Sequence, residues 1–239
     1  MRLSRLFIDA PLALGELSLP EPQAHYLARV LRLNAGAPLQ CFDGSGREFR
    51  GEVVEVGKKQ VRAVLVEAFA GLPESPLKIH LGQGLSRGER MDWAIQKATE
   101  LGVTQITPLF SERCEVRLKD ERGEKRLAHW RQVAISACEQ CGRSVLPEIH
   151  PPQVLGEWQR QVEADLKLVL HPVAEPLSGQ PRPTRLAFLI GPEGGLSEAE
   201  VQQAVAAGFS PARLGPRVLR TETAPVVALS VAQQLWGDF

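Results

Sequence analysis

The spacing of apolar and polar positions changes character near residue 75. Before it, apolar residues alternate or come in short β-branched runs. Leu6-Phe7-Ile8 and residues 38–42, 52–56 and 61–66 read as strands, with Asp43-Gly44-Ser45-Gly46 and Gly57-Lys58-Lys59 as turns. Residues 22–31 place Ala24, Leu27, Ala28 and Leu31 on one face, which predicts a short helix. Several short strands with one helix predict a small β-barrel. Gly71-Leu72-Pro73-Glu74-Ser75-Pro76 then interrupts the pattern, so the chain reads as two domains, 1–72 and 73–239.

Past that break, strands and helices alternate. Residues 77–82, 104–109, 166–170 and 186–190 are apolar runs of strand length, with shorter ones at 146–149 and near Leu214. Apolar residues at helical spacing predict helices over 90–101, 124–141, 154–164, 197–207 and 224–236. Ser197 and Glu200 have the spacing of a capping box. This alternation predicts an α/β domain with a mostly parallel sheet covered by helices. The 224–236 helix is apolar on nearly every side through Val226, Val227, Leu229, Val231 and Leu235, more than one core contact requires. Thr223 is its expected N-cap, with Pro225 in the first turn, where proline is tolerated.

Composition narrows the function. Lys plus Arg equals Asp plus Glu at 28 each, so any nucleic-acid binding must come from local patches. Cys138 and Cys141 have CxxC spacing but lie inside a helical pattern, with no second pair or His cluster, which points to a buried structural role. None of the five His pairs with another at ligand spacing, so no metal site is expected. The N-terminus lacks the apolar core of a signal peptide, and no window reaches 18 apolar residues; a cytoplasmic protein with no membrane association is expected.

Two stretches stand out as candidate chemistry. One is Leu189-Ile190-Gly191-Pro192-Glu193-Gly194-Gly195; the other runs from Leu214, Gly215 and Pro216 through Arg217, Val218 and Leu219 to Arg220, Thr221, Glu222, Thr223 and Ala224. Each begins where a predicted strand ends and is followed by a helix, and that edge of an open α/β sheet is where ligands bind. The glycines let backbone turn sharply and approach a ligand closely. Neither GxGxxG nor GxxxxGK[ST] is present, which favours a ligand held by backbone amides and carbonyls over a phosphate-cradling loop. Arg90, Trp93, Lys97 and Glu100 form one helical stripe, with Arg87 just before it. Spacing alone leaves open a face for phosphates and stacked bases or an ordinary solvated one, and the same holds for Arg29, Arg32, Lys58 and Lys59. The cations between Arg113 and Arg131 are interleaved with acids and read as surface.

IGPEGG at 190–195 and LGPRVLRTETA at 214–224 resemble the SPOUT class of S-adenosylmethionine-dependent RNA methyltransferases. The nearer resemblance is to the bacterial ribosomal RNA small-subunit methyltransferase E family. It runs the length of the chain: RLFID at 5–9, HYLARVLRL at 25–33, FDGSG at 42–46, ERMDWAIQKATELGV at 89–103 and ACEQCGR at 137–143. Cys141 stands where that family more often has a small polar residue. The resemblance implies a PUA-like RNA-binding barrel, an α/β domain with a deep C-terminal trefoil knot, and a homodimer. It implies methylation of uracil N3 in 16S ribosomal RNA, the family's target being uridine 1498. The alternatives are another RNA target within the class, or a non-catalytic RNA-binding assembly factor.

The resemblance also assigns residues. The cofactor S-adenosylmethionine would lie against Leu170, His171 and the loop Leu189, Ile190, Gly191, Pro192, Glu193, Gly194 and Gly195. Leu214, Gly215, Arg217, Val218, Leu219, Thr223 and Ala224 would complete its site. Arg5, Arg29, Arg32, Arg87, Arg90, Lys97 and Arg143 would face RNA. Arg220, with Arg5 from the barrel, would stabilise the charge that develops on the uracil oxygens. Glu222 is the nearest carboxylate, open between a base and a structural partner of Arg220 or a backbone cap.

Overall fold

The computed structural model describes residues 4–19, 21, 24, 27, 34–57, 60–116 and 120–239. The chain divides into two compact units, Met1–Glu74 with Cys138–Leu146, and Ser75–Ala137 with Pro147–Phe239.

The first unit is built on β1 (Ser4–Phe7), β2 (Gly15–Leu19), β3 (Pro38–Phe42), β4 (Arg47–Val56) and β5 (Val61–Ala70), paired in the order β1-β3-β4-β5-β2. β1 runs parallel to β3, and the other pairs are antiparallel. Period-two burial is clear at the start of β5, where Val61, Ala63 and Leu65 enter the core and Arg62, Val64 and Val66 do not. Leu6, Ile8, Leu39, Phe49 and Val53 complete that core. Among the described residues the five strands form one sheet whose pairing path does not close from β2 back to β1. The helix expected over 22–31 lies largely outside the described residues.

The second unit holds one parallel sheet. Its strands are β6 (Lys78–Gly84), β7 (Gln105–Phe110), β8 (Glu148–Ile149), β9 (Gln153–Val154), β10 (Leu166–Pro176), β11 (Arg185–Ile190) and β12 (Ser210–Arg213). The order is β12-β10-β11-β6-β7-β8, with β9 also on β7. The helices are α1 (Glu89–Glu100), α2 (Asp120–Cys141, of which residues 138–141 belong to the first unit), α3 (Leu155–Gln161), α4 (Glu198–Ala206) and α5 (Thr223–Trp236). β11 is buried on both faces after its first residue, as a central parallel strand must be. Phe188 and Ile190 enter the cluster containing Met91, Ile95, Ala228 and Leu229, while Leu189 points into another with Trp158 and Ala204.

β10 does not stop at 170 as expected. A register shift between Leu170 and Glu175 lets it pair with β12 on both sides of an irregularity, carrying the strand to Pro176. The start of α5 also differs. Thr223 is its first helical residue, and the preceding Glu222 is already in the αR region with no side-chain cap. The reason is that Arg220 O accepts from both Thr223 N and Ala224 N at 2.9 Å, so the turn closes one residue early. Among the described residues no helix is long and apolar enough to cross a membrane.

Candidate active site

The middle of β10, at Leu170 and His171, and the C-terminal ends of β11 and β12 open into a cleft of about 610 Å³ in the second unit. Leu170 and His171 form one side, Ile190 to Leu196 a second, and the segment from Ala212 to Glu222 a third, with Arg90 and Ala224 completing the wall. Of the expected cofactor residues, Leu189 and Thr223 are not on this wall. Leu189 is fully buried and can offer only its backbone. Val218 is 85% exposed, an apolar side chain at the cleft with nothing of the chain covering it.

Two glycines set the backbone here. A Cβ at Gly84, the last residue of β6, would lie 2.4 Å from Pro192 N, so the 191–195 loop seats directly on the β6 backbone. Gly195 has φ +68°, a conformation that closes the turn in which Gly195 N donates to Pro192 O at 2.8 Å.

The two loops are pinned together by a residue that sequence reasoning did not single out. Thr221 is buried, and its hydroxyl donates to Gly191 O at 2.8 Å and accepts from Gln83 Nε2 at 3.1 Å. Ser86 Oγ stands 3.3 Å from the same oxygen and reaches Gly84 O at 3.2 Å. Gln83 and Ser86 are buried polar residues at the end of β6, and each is satisfied largely by this junction. The available signal was a polar pair, Gln83 and Ser86, directly following an apolar strand.

Charge at the cleft is organised by Arg90. Its Nη1 donates to Glu193 Oε1 at 2.8 Å, and its Nε lies 4.0 Å from Glu222 Oε1. Arg87 N also donates to Glu193 Oε1, at 3.0 Å. Partial burial works to raise the Glu193 carboxyl, but backbone N–H groups and the Arg90 guanidinium outweigh it and hold the group below its ordinary value. Of the roles left open for Glu222, the backbone cap is not formed, and its ion pair is with Arg90. Arg220 is exposed on the cleft wall, as are Arg213 and Arg217.

The remaining expected RNA contacts fall differently. Arg5 lies inside the first unit with its side chain 11% exposed. It pairs with Glu48 at 2.8 Å, donates to the carbonyls of Cys138, Gly142 and Arg143, and stacks 4.0 Å over the Phe42 ring. Arg143 is buried against Glu74, its Nε 3.1 Å from Oε1. Neither guanidinium has a free face for RNA or uracil, because each neutralises a carboxylate that would otherwise be stranded without a counter-ion. Arg87 pairs with Glu115 at 2.6 Å on the surface, and Lys97 with Glu100 at 2.7 Å in a half-buried setting. Arg29 and Arg32 lie outside the described residues. Burial pushes the Cys138 thiol up to about 12, which suits a structural cysteine.

Residues 73–233 match the family model of an RNA methyltransferase domain, and residues 19–66 that of an RNA methyltransferase PUA domain. The chain is 38% identical to ribosomal RNA small subunit methyltransferase E of Buchnera aphidicola subsp. Schizaphis graminum, across 99% of this chain and 98% of that protein. It is also similar to two solved structures, each covering 100% of both chains. One is ribosomal RNA small subunit methyltransferase E from Neisseria gonorrhoeae bound to S-adenosyl methionine, with a TM-score of 0.93 and 39% identity. The other is a Legionella pneumophila protein in complex with the cofactor SAM, with a TM-score of 0.97 and 42% identity. With the family's two domain models matched in order and relatives aligned end to end, the chain belongs to the ribosomal RNA small subunit methyltransferase E family.

Proposed function

We propose that this protein methylates N3 of a uracil in 16S ribosomal RNA of the small ribosomal subunit, at the family's uridine 1498, with S-adenosylmethionine as methyl donor. The observation that carries this reading is the cleft at the middle of β10 and the ends of β11 and β12, closed by the Thr221 to Gly191 hydrogen bond. Its residues fit that cofactor. The volume is in the range of small-molecule sites, Leu170, Ile190, Leu214, Val218 and Leu219 supply apolar wall, and Glu193 and Glu222 supply negative charge for a cation.

S-adenosylmethionine, when bound, supplies a methyl group on a sulfonium, already an excellent electrophile. The protein must therefore align the uracil and offset the negative charge on O2 and O4 as N3 loses its proton. Arg220 is an exposed cation on the cleft wall and takes that role. Glu222, held beside Arg90, serves as a partner of that guanidinium.

The finer architecture belongs to the same proposal. Residues 1–72 would be the RNA-binding domain and 73–239 the methyltransferase domain. A trefoil knot is supported by the path of residues 214–222, which leave β12 at the sheet edge and return past β10 to meet Gly191 and Gln83. A homodimer is supported by α5, which leaves Val227, Val231 and Leu235 partly exposed in one stripe, and light scattering of the purified protein would test it. Action on ribosomal RNA places the protein in the cytoplasm.

Mapping modified nucleosides in 16S ribosomal RNA from a strain lacking this protein tests the reading. Loss of 3-methyluridine at one position, restored by the wild-type chain, is expected; its persistence would redirect the activity to another RNA.

A further inference from the structure

We propose that Arg90 is a positioning residue of the cofactor site, a clamp that holds the 191–195 loop and the 214–222 segment in register, and not a contact to RNA phosphate. The inference rests on the cleft being the S-adenosylmethionine site and deepens that reading. Its basis is a three-residue arrangement drawn from three separate parts of the chain. Glu193 is in the loop after β11, Glu222 sits just before α5, and Arg90 is in the first turn of α1. All three line the cleft.

The geometry makes Arg90 the common partner. One guanidinium nitrogen donates to Glu193 Oε1 at 2.8 Å, and another lies 4.0 Å from Glu222 Oε1. Without that cation the two carboxylates would face the same cleft with no guanidinium between them. Glu193 has a second tie, the Arg87 N–H at 3.0 Å, just ahead of α1. That helix has Gly88 as its N-cap and no side-chain cap of its own, and the Arg87 N–H that Glu193 accepts lies one residue before that cap. The loop that would bind the cofactor is therefore fastened to α1 through Arg90 and to the residue ahead of its N-cap through Arg87 N. The segment carrying Arg220 is joined to the same point through Glu222. Thr221 pins the two loops at their buried edge, and Arg90 bridges them at the open edge. A guanidinium engaged by two carboxylates has little charge left to offer a phosphate.

The test uses the full-length protein and reads cofactor and RNA binding separately. S-adenosylmethionine affinity is measured by calorimetry, 16S ribosomal RNA fragment affinity as a function of salt, and methyl transfer by single turnover, for wild type, Arg90→Met, Arg90→Lys, Glu193→Gln and the double variant Arg90→Met with Glu193→Gln. Arg90→Met is expected to weaken cofactor binding about tenfold and to leave the salt slope of RNA binding unchanged. Arg90→Lys should recover much of the loss, because an ammonium keeps the charge though not the fork. Glu193→Gln should match Arg90→Met, and the double variant should be no worse than either single one. A drop in salt slope of about one unit with unchanged cofactor affinity would make Arg90 a phosphate contact and overturn the proposal. Additive losses in the double variant would overturn it as well. Should Arg90→Met fail to fold, the Glu193→Gln and Arg90→Lys comparison carries the decision. Wild-type protein that fails to bind S-adenosylmethionine would instead refute the underlying reading of the cleft, so the two failures are distinguishable.

Discussion

Thr221→Val removes one hydroxyl from the junction of the two loops while nearly keeping the side chain's shape. The Thr221 oxygen now donates to Gly191 O at 2.8 Å and accepts from Gln83 Nε2 at 3.1 Å. After the change Gly191 loses that donor, and Gln83 Nε2 keeps only a long contact to Gly84 O at 3.4 Å. Gln83 Oε1 is already without a partner, so the amide has no second arrangement to fall back on among the described groups. A buried polar group left unpaired costs about 1–3 kcal/mol. With two groups affected and some relief from Ser86, a loss of roughly 2 kcal/mol is expected. It should appear as a lower urea midpoint at unchanged m value. Part of that loss falls on the ordering of the 191–195 loop, so S-adenosylmethionine affinity should fall about tenfold. Thr221→Ser keeps both hydrogen bonds and should behave nearly as wild type. Stability within about 0.5 kcal/mol of wild type together with unchanged cofactor affinity would show that the hydroxyl does not pin the loops. A Ser variant as damaged as the Val variant would shift the explanation to packing of the methyl group.

Gly195→Val places a β-branched residue at φ +68° with open space around its Cβ, so the cost is backbone strain confined to the loop; calorimetry should show cofactor binding lost while the melting transition persists, and unchanged affinity would end the loop's assignment. Arg220→Ala should slow single-turnover methyl transfer by roughly two to three orders of magnitude, the scale of losing one oxyanion donor, with cofactor affinity within a few-fold; near-wild-type rates would remove Arg220 from the chemistry. Stability should also depend on His80, whose Nε2 meets Thr107 Oγ1 at 2.8 Å and the Trp158 N–H at 3.3 Å. Burial first, then His150, pushes its pKa down to about 4. The unfolded chain takes up this proton near pH ~6.5 and the folded one does not, so His80 adds no penalty above that pH; stability falls as pH drops toward 4 and levels off below, by at most about 3 kcal/mol. His80→Gln should flatten this part of the urea-midpoint profile, and an unaltered slope would assign the effect to another group.

Local patterns carried most of the second unit. Met91, Ala94, Ile95 and Ala98 of α1 are all buried on the face their spacing selected. The capping box forms as expected, with Glu200 N donating to Ser197 Oγ at 3.2 Å and Ser197 N to Glu200 Oε2 at 2.9 Å. Nothing local showed that the other Glu200 oxygen also accepts from Glu112 N at 2.7 Å, tying α4 to the loop after β7. Features that depend on a distant partner were not legible. β2 is five residues with a weak alternation and exists because β5 pairs with it. The extension of β10 needs β12, and Thr221 gains its meaning only when β6 and the 191–195 loop arrive beside it.

The same logic explains why the arginines were the least legible residues. A guanidinium in a sequence does not reveal which carboxylate lies beside it, and Arg5 finds Glu48 43 positions away while Arg90 finds Glu193 103 positions away. In a chain with equal numbers of acidic and basic residues, each such pairing decides where positive charge remains for RNA. Arg5 and Arg143 are withdrawn into the first unit, and Arg87, Arg90 and Lys97 are matched by surface or cleft carboxylates. Arg213, Arg217 and Arg220 line the cleft and carry no ion pair among the described residues. A neutral protein can therefore present a local cationic rim at the place where methyl transfer is proposed. The acids that pair the other cations produce that local excess without changing the net charge. Because the three free arginines lie within eight residues on the segment that Thr221 anchors, loss of that anchor would displace the proposed cofactor wall and this cationic rim together.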